Sequence, residues 1–492
     1  RPQDGEAVPE RSVRAAGSLY RGEVTATRAT AATDGEPADR TMDQLQPHPV
    51  PTVRVALLGC GNVGGALADI LLTRADDVAA RTGIRLELVG IAVAHPDKPR
   101  PPSIARELVG TDAAALVGRD DVDVVVEVIG GLHPAHELVE AALRNGKPVV
   151  TANKALLAVA GAELAEVAAA AGVDLLYEAA VAGAIPVIRP LRESLAGEQI
   201  VRVMGIVNGT TNYILTRMEE EGASYDDVLK EAQQLGLAER DPSADVDGHD
   251  AAAKAAILAS LAFGSDVVDS DVHREGISGL STADVAYANK LGYSVKLLAV
   301  AELVDGGPEV SVRVHPAMVP RTHPLAAVRG AFNAVFVEGA VSGELMLYGR
   351  GAGGGPTASA MLGDLVDASR NLLAGAPAPA PKRTSTTVRD QNDMRSAFYL
   401  SMDVADRPGV LAAVAKIFGD HQVSIRAMEQ EGLAEEARLI FLTHVAREGD
   451  LLATIDELRK LQAVDRVSGV LRVIGENEGG HARDGVGNRA AP

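Results

Sequence analysis

One cysteine, Cys60, stands in 492 residues, so no disulfide can close within the chain. A reducing compartment, the cytoplasm, is the expectation that follows. Tryptophan is absent and aromatic residues make up only 3%, so an apolar content of 47% rests mostly on aliphatic side chains such as Ala and Val. No apolar run reaches the ~20 residues that a membrane-spanning helix needs. The first residues carry no apolar core of the kind a secretory signal requires, so none is expected. Cations are also in short supply: 47 Lys and Arg face 67 Asp and Glu, a formal charge of -20. Phosphate-binding faces need clustered Lys and Arg, so neither nucleic acid nor an anionic membrane is an expected partner. What is left is a self-repelling globular chain, long enough for roughly two to four domains, with the composition of an enzyme.

The most informative stretch is G-L-A-E-R-D-P-S-A-D-V-D-G-H-D-A-A-A-K, residues 236–254. It holds Glu239, Asp245, Asp250 and Lys254, and runs into A-A-A-K-A-A-I-L-A-S-L-A-F, a helix apolar on nearly every side. Asp250 and Lys254 stand four apart and share a face, which Ile257 and Leu261 continue. On an ordinary surface helix such a pair is worth only about 0.3–0.5 kcal/mol. This helix has no polar face to carry it. A lysine on an apolar stripe can exchange a proton near neutral pH, because burial disfavours its charged form.

Residues 1–50 lack hydrophobic periodicity and read as a disordered extension. The strand V-R-V-A-L-L then leads into G-C-G-N-V-G, with Gly59, Gly61 and Gly64 in the three places of a dinucleotide fingerprint. The first glycine makes the turn, the second admits a pyrophosphate, and the third lets helix pack on strand. The second strand, 86–93, ends in Ala94-His95 with no acid to hold ribose hydroxyls, and Lys98 and Arg100 follow, which favours NADP over NAD. Lys154 falls at the carboxyl end of K-P-V-V-T-A-N-K, where open parallel sheets bind ligands, and a helix is expected over 162–171. Y-E-A-A-V-A-G-A-I-P ends a strand at Glu178 and enters a loop of small residues, suited to a monovalent cation or to a tight turn alike. Ser224 and Asp227 form a capping box for a helix over 225–235. A second glycine-rich loop, 349–357, opens a helix through Arg370 and is either a further backbone-approach site or a hinge. Residues 374–394 read as a Pro/Ala/Thr linker, and 395–478 give the order β-α-β-β-α-β, the ferredoxin-like arrangement.

The expected class is therefore α/β: a Rossmann domain over 51–178, completed by 349–373; an α+β substrate-binding and dimerisation domain over 179–348; a ferredoxin-like C-terminal domain; and a polar tail from 479. G-C-G-N-V-G-G, V-V-T-A-N-K, Y-E-A-A-V-A-G-A-I-P, G-I-V-N-G-T-T-N-Y-I-L, the 236–254 stretch and Y-G-R-G-A-G-G-G-P-T-A-S together resemble homoserine dehydrogenases of the bacterial form with a C-terminal ACT domain. The resemblance spans about residues 52–475 and includes D-R-P-G-V-L, an ACT-like start.

It implies reversible reduction of L-aspartate 4-semialdehyde to L-homoserine by NADPH, with NADH as the alternative. Lys254 would be the general acid/base, with Asp250 keeping it charged and oriented. Glu239, Asp245 and Lys154 would bind substrate; Gly59, Gly61, Asn62, Val63, Gly64, Lys154 and Gly353 would hold the dinucleotide. Glu178, Val181, Gly183 and Ile185 would hold a sodium ion. Threonine would be the effector, and the enzyme a homodimer or homotetramer. Many relatives carry an Arg where Ala94-His95 stands, so Lys98 or Arg100 would have to replace it. Two rivals remain: another NAD(P)-dependent amino-acid dehydrogenase, and an amino-acid sensor with a vestigial Rossmann domain. The intact Lys154, Lys254 and loop glycines argue against the sensor.

Overall fold

The computed structural model describes residues 50–377, 386–433 and 436–475. The extension expected at 1–50, apart from Val50, lies outside the described residues, as do the tail from 479 and residues 378–385 of the expected linker.

The chain first builds a parallel sheet. Its elements are β1 (Thr52–Leu58), α1 (Asn62–Thr73), α2 (Ala75–Thr82), β2 (Arg85–Ala92), β3 (Val109–Gly110), α3 (Ala113–Gly118), β4 (Val124–Glu127), α4 (Ala135–Arg144), β5 (Val149–Thr151), α5 (Lys154–Ala171) and β6 (Leu175–Leu176). Strand order is β3-β2-β1-β4-β5-β6, the doubly wound order of dinucleotide-binding domains. The strands are continuous Val/Leu runs because helices cover both faces. Order reverses between β1 and β4, which pair as parallel strands with Leu58 opposite Glu127, so a crevice opens beyond these two strand ends.

The second unit comprises β7 (Ile200–Ile206), α6 (Gly209–Glu221), α7 (Tyr225–Gln234), α8 (Ser243–Val246), α9 (His249–Phe263), β8 (His273–Arg274), α10 (Thr282–Lys290), β9 (Tyr293–Leu303), β10 (Glu309–Pro320), β11 (Phe332–Gly339) and β12 (Gly343–Arg350). Helix α11 (Gly354–Ala374) returns to the first sheet, where Ala358, Met361 and Leu365 join the core of Leu67, Ala68 and Leu71. The C-terminal unit follows: β13 (Thr387–Val388), β14 (Arg395–Ala405), α12 (Val410–Asp420), β15 (Ile425–Leu433), β16 (Glu436–Thr443), β17 (Ala446–Arg447), α13 (Glu448–Leu458) and β18 (Val464–Val473).

Three local departures from the sequence reading have physical causes. Helix α5 starts at Lys154 itself rather than at 162, because the Asn153 side chain accepts from Leu156 N and caps it, and A-L-L-A-V-A-G-A is apolar enough to be helix throughout. Lys154 is thus a first-turn residue, beyond the end of its strand. Glu178 likewise lies past the strand, in a short 3-10 turn over 178–180. Part of the expected linker adds a strand instead: Thr387 and Val388 pair with Glu309 and Val310 on β10. The largest feature the sequence did not disclose is a continuous second sheet. β18 pairs in parallel with β10, Ala317 opposite Arg472 and Met318 opposite Val473. The ferredoxin-like sheet, in order β18-β14-β16-β15, therefore extends the sheet β12-β11-β7-β9-β10 of the second unit.

Candidate active site

The three fingerprint glycines do three different jobs. Gly59 turns the chain at φ +96, and a Cβ there would lie 2.6 Å from the Val128 carbonyl oxygen. Gly64 sits against Gly59 O, which a Cβ would meet at 2.4 Å. Gly61 faces open space, with nothing within 4 Å of a Cβ. It precedes α1, whose first-turn N–H groups receive no side-chain cap, and Asn62 and Val63 are the first residues of that turn. Gly353, at φ +124, plays the same part for α11. The next residue, Gly354, approaches Asn62 O so closely that a Cβ would stand 2.8 Å away. Two helix N-termini therefore meet at the crevice, an arrangement that attracts a diphosphate.

Beside the crevice the described charges converge on one carboxylate. Lys154 Nζ stands 2.6 Å from Asp250 Oδ1. Lys254 Nζ donates to Asp250 Oδ2 at 2.7 Å and to the Val207 carbonyl at 2.6 Å. Asn208 Nδ2 donates to Asp250 Oδ2 at 2.9 Å and to Asp245 Oδ1 at 2.7 Å. Burial by itself would push the Asp250 carboxyl up, but the Lys254 and Lys154 ammonium groups outweigh it and hold it well below the usual carboxylate range. Lys154 side-chain exposure is 43%, against 10% for Lys254, so of the two only Lys154 reaches freely into solvent. Glu239 is exposed on the loop before α8, where its carbonyl accepts from Gln233 Nε2. Among the described residues no hydrogen bond or ion pair joins its carboxylate to the cluster. Another buried lysine, Lys296, is walled off elsewhere: its ammonium donates to Asn212 Oδ1 and the Val328 carbonyl, and burial pushes it down to about 8.

A dinucleotide crevice beside a paired lysine and carboxylate is the equipment of a nicotinamide-dependent oxidoreductase, and comparison with known proteins narrows it. Family models described as "Homoserine dehydrogenase, NAD binding domain", "Homoserine dehydrogenase" and "ACT domain" match residues 59–178, 186–366 and 398–463. A homoserine dehydrogenase of Corynebacterium glutamicum is 51% identical over 429 residues, covering 86% of this chain and 96% of that protein. The chain belongs to the homoserine dehydrogenase family. It is an oxidoreductase acting on a CH–OH group, with an ACT domain that suits it to a small-molecule effector. The crystal structure of a homoserine dehydrogenase from Thiobacillus denitrificans superposes with a TM-score of 0.81 at 42% identity, over 86% of this chain and 98% of that one. A hyperthermophilic archaeal homoserine dehydrogenase in complex with NADPH gives a TM-score of 0.54 at 29% identity, over 65% of this chain and 98% of that one.

The loop expected to hold a cation has the donors for one. Glu178 is buried, and its carboxylate accepts from the backbone N–H groups of Val187, Ile188 and Arg189 at 2.5, 2.9 and 2.8 Å. That leaves about one of its four lone-pair positions open. Val181, Gly183 and Ile185 are buried, yet their carbonyl oxygens accept no hydrogen bond among the described residues. The chain turns sharply here, with Ala182 and Gly183 both at φ +57. No three His, Cys, Asp or Glu side chains cluster as metal ligands among the described residues. This donor set fits a hard cation held mainly by backbone oxygen, not a thiolate- or imidazole-bound metal.

Beyond β2, Arg100 turns back under its own loop and donates to the carbonyls of His95, Pro96 and Lys98 at 2.6, 2.6 and 2.9 Å. It shapes the loop and leaves Lys98 exposed at its rim. Two residues of the site carried no role in the sequence reading. Asn208 caps α6 through Oδ1, which accepts from Thr211 N, while its amide bridges Asp245 and Asp250. Glu127, fully buried at the end of β4, accepts from Ile129 N, Thr151 Oγ1 and, at 3.4 Å, Asn153 Nδ2, so it binds the crevice floor to the start of α5. An acid closing the apolar run V-V-V-E at a carboxyl strand end was the available signal for Glu127. For Asn208 the signal was a capping residue placed just after a strand.

Proposed function

We propose that this enzyme interconverts L-aspartate 4-semialdehyde and L-homoserine, with NADP(H) preferred over NAD(H). The observation that carries the reading is the Asp250 carboxylate shared between Lys154 and Lys254 at the mouth of the dinucleotide crevice. The bound nicotinamide supplies or takes the hydride. Lys254 gives a proton to the substrate oxygen in the reductive direction and accepts it in the other, held in place by Val207 O and Asp250. Asp250 fixes both ammonium groups. Lys154, being more exposed, contacts substrate and cofactor together. Asp245 and Glu239 attract the α-ammonium of the amino acid.

The open face of Gly61, with Gly59, Asn62, Val63, Gly64 and Gly353 around it, holds the diphosphate. Lys98, at the rim of a loop that Arg100 shapes, meets the 2′-phosphate of NADP. The NADPH complex of the archaeal relative supports this preference. Glu178 and the carbonyls of Val181, Gly183 and Ile185 hold a sodium ion that stiffens the joint between the two units. The uncapped N-terminus of α12, behind Gly409 at φ +91, receives the carboxylate of an amino-acid effector, threonine. The edge strand β12 exposes Leu345, Met346 and Tyr348, and pairing of two copies along it gives a homodimer, or half of a homotetramer. The reaction belongs to the cytoplasm.

The test is turnover by the full chain of L-homoserine, L-serine and L-threonine with NADP⁺ and with NAD⁺, read by nicotinamide absorbance. Selective oxidation of L-homoserine is expected. A folded enzyme that leaves L-homoserine untouched with both cofactors, or turns over the three alike, overturns the proposal.

A further inference from the structure

The C-terminal unit reaches the catalytic unit through a buried cluster of charge. Arg472 on β18 donates to Glu448 through Nε at 2.8 Å and Nη2 at 2.5 Å, and its Nη2 also reaches Glu275 Oε1 at 2.8 Å. Glu448 further accepts from Arg313 Nη1 at 3.2 Å and Gln391 Nε2 at 2.7 Å, and Arg313 pairs with Glu302. His273 Nε2 stands 3.0 Å from the same oxygen, Glu275 Oε1. Of the groups in the cluster, Glu275 belongs to the segment that continues toward the active site.

That segment, 275–277, is pressed backbone to backbone against the turn that carries Asp245. Glu275 N donates to Val314 O on β10 at 2.8 Å, which anchors one side. Ile277 N donates to Val246 O at 2.8 Å, which holds the other. Between them Gly276 has no room for any side chain: a Cβ would lie 2.3 Å from Val246 O and 2.7 Å from Asp247 Cα. Gly248, the left-handed residue before α9, faces the Glu275 carbonyl, 3.5 Å from where its Cβ would be. Asp245, one residue before Val246, receives Asn208, which in turn holds Asp250. The contact sequence from Arg472 to Asp250 is therefore unbroken.

We infer that Glu275 is a positioning residue for the reaction, the point at which Arg472 of the C-terminal domain fixes the 243–248 turn and with it Asp245. Its effect falls on substrate binding more than on proton transfer, because Lys254 has a separate anchor in Val207 O. Anything bound in the C-terminal domain that moves β18 acts on the substrate turn by this route. The inference rests on the reading of Asp245 as a substrate contact. Glu275 is the better residue to change than Arg472, since Arg472 keeps Glu448 as a partner when Glu275 is lost.

The test compares Glu275→Ala, Glu275→Gln and Gly276→Ala in the full chain. Glu275→Ala is expected to raise the KM for L-homoserine about tenfold or more while leaving the KM for NADP⁺ within about twofold. Glu275→Gln, whose amide oxygen still accepts from Arg472, falls between it and the wild type. Gly276→Ala gives the same split without touching any charge. Should Glu275→Ala fail to fold, the other two variants decide. Unchanged KM values in folded variants overturn the inference, and so does a parallel rise in both KM values, which marks general loosening. A second readout separates this claim from the functional reading. Amide exchange over residues 243–250 is expected to speed up about tenfold or more in Glu275→Ala, with 59–64 unchanged. If the wild type proves inactive on L-homoserine, the functional reading falls, and exchange alone decides whether Glu275 positions the turn: unchanged exchange refutes it.

Discussion

Replacing Asp250 by asparagine keeps the shape of the side chain and removes its charge. The carboxylate receives Lys154 Nζ on Oδ1, and Lys254 Nζ with Asn208 Nδ2 on Oδ2. An amide can serve only one of these two sides as an acceptor; its NH₂ must face a donor on the other. The cheaper orientation turns the oxygen to Lys254 and Asn208 and the nitrogen to Lys154, which is exposed enough to swing into solvent. Removing one partner of a fully buried pair costs ~3–5 kcal/mol. Here one side stays satisfied and Lys154 escapes, so the loss is nearer that of hydrogen bonds to charged groups, about 1.5–3 kcal/mol. Turnover should fall by about 10²-fold, because Lys254 loses its counter-ion and Lys154 its position. Urea unfolding and steady-state kinetics at neutral pH read the two effects. A pH series adds a third. The folded carboxyl lies well below its unfolded value, so its stabilisation is fully present above an unfolded Asp value of about 4 and is lost as pH falls toward the folded one. The wild-type advantage in stability should therefore be flat through neutral pH and shrink below about pH 4. An Asp250→Asn variant as stable as wild type, with kcat within about threefold, would falsify the view that this carboxylate organises the site.

The glycines of the fingerprint should separate by what surrounds them. Gly61→Ala, with open space around its Cβ, should fold normally and raise the KM for NADP⁺ by about tenfold, whereas Gly64→Ala, driven into Gly59 O, should lower stability by ~1–3 kcal/mol; equal stability in the two variants would contradict the assignment. Lys98→Ala should lower the preference for NADP⁺ over NAD⁺ by about tenfold in kcat/KM, and an unchanged ratio would leave Lys98 without a part in cofactor choice. Met346→Glu with Tyr348→Glu, on the exposed face of β12 where Tyr348 stacks on Phe332 at 5.1 Å, should convert the proposed dimer to monomer in sedimentation. A species of unchanged mass would place the subunit contact elsewhere.

Local geometry was legible in the sequence where it depends on spacing. The three glycines announce their roles because each is demanded by a fixed place in a strand–turn–helix unit, and Asp250 and Lys254 show their shared face through a four-residue interval. The β-α-β-β-α-β order of the last unit reads off hydrophobic alternation in the same way. Contacts between distant segments were not legible. The pairing of β10 with β18 joins residues far apart in the chain, and nothing in either strand names its partner. Asn208 looks like an ordinary capping residue until the fold brings Asp245 and Asp250 to its free amide. The boundary at Lys154 was misjudged because Val/Ala runs suit a strand and a buried helix equally, and only the Asn153 cap decides.

The central claim is that Lys254 moves the proton while the nicotinamide moves the hydride. It is tested most directly by L-homoserine-dependent reduction of NADP⁺ by the wild type beside Lys254→Ala. Loss of about 10²-fold or more in kcat, with the variant folded and still binding NADP⁺, is the predicted result. Wild-type turnover in Lys254→Ala would contradict the claim and move the proton to Lys154 or to water.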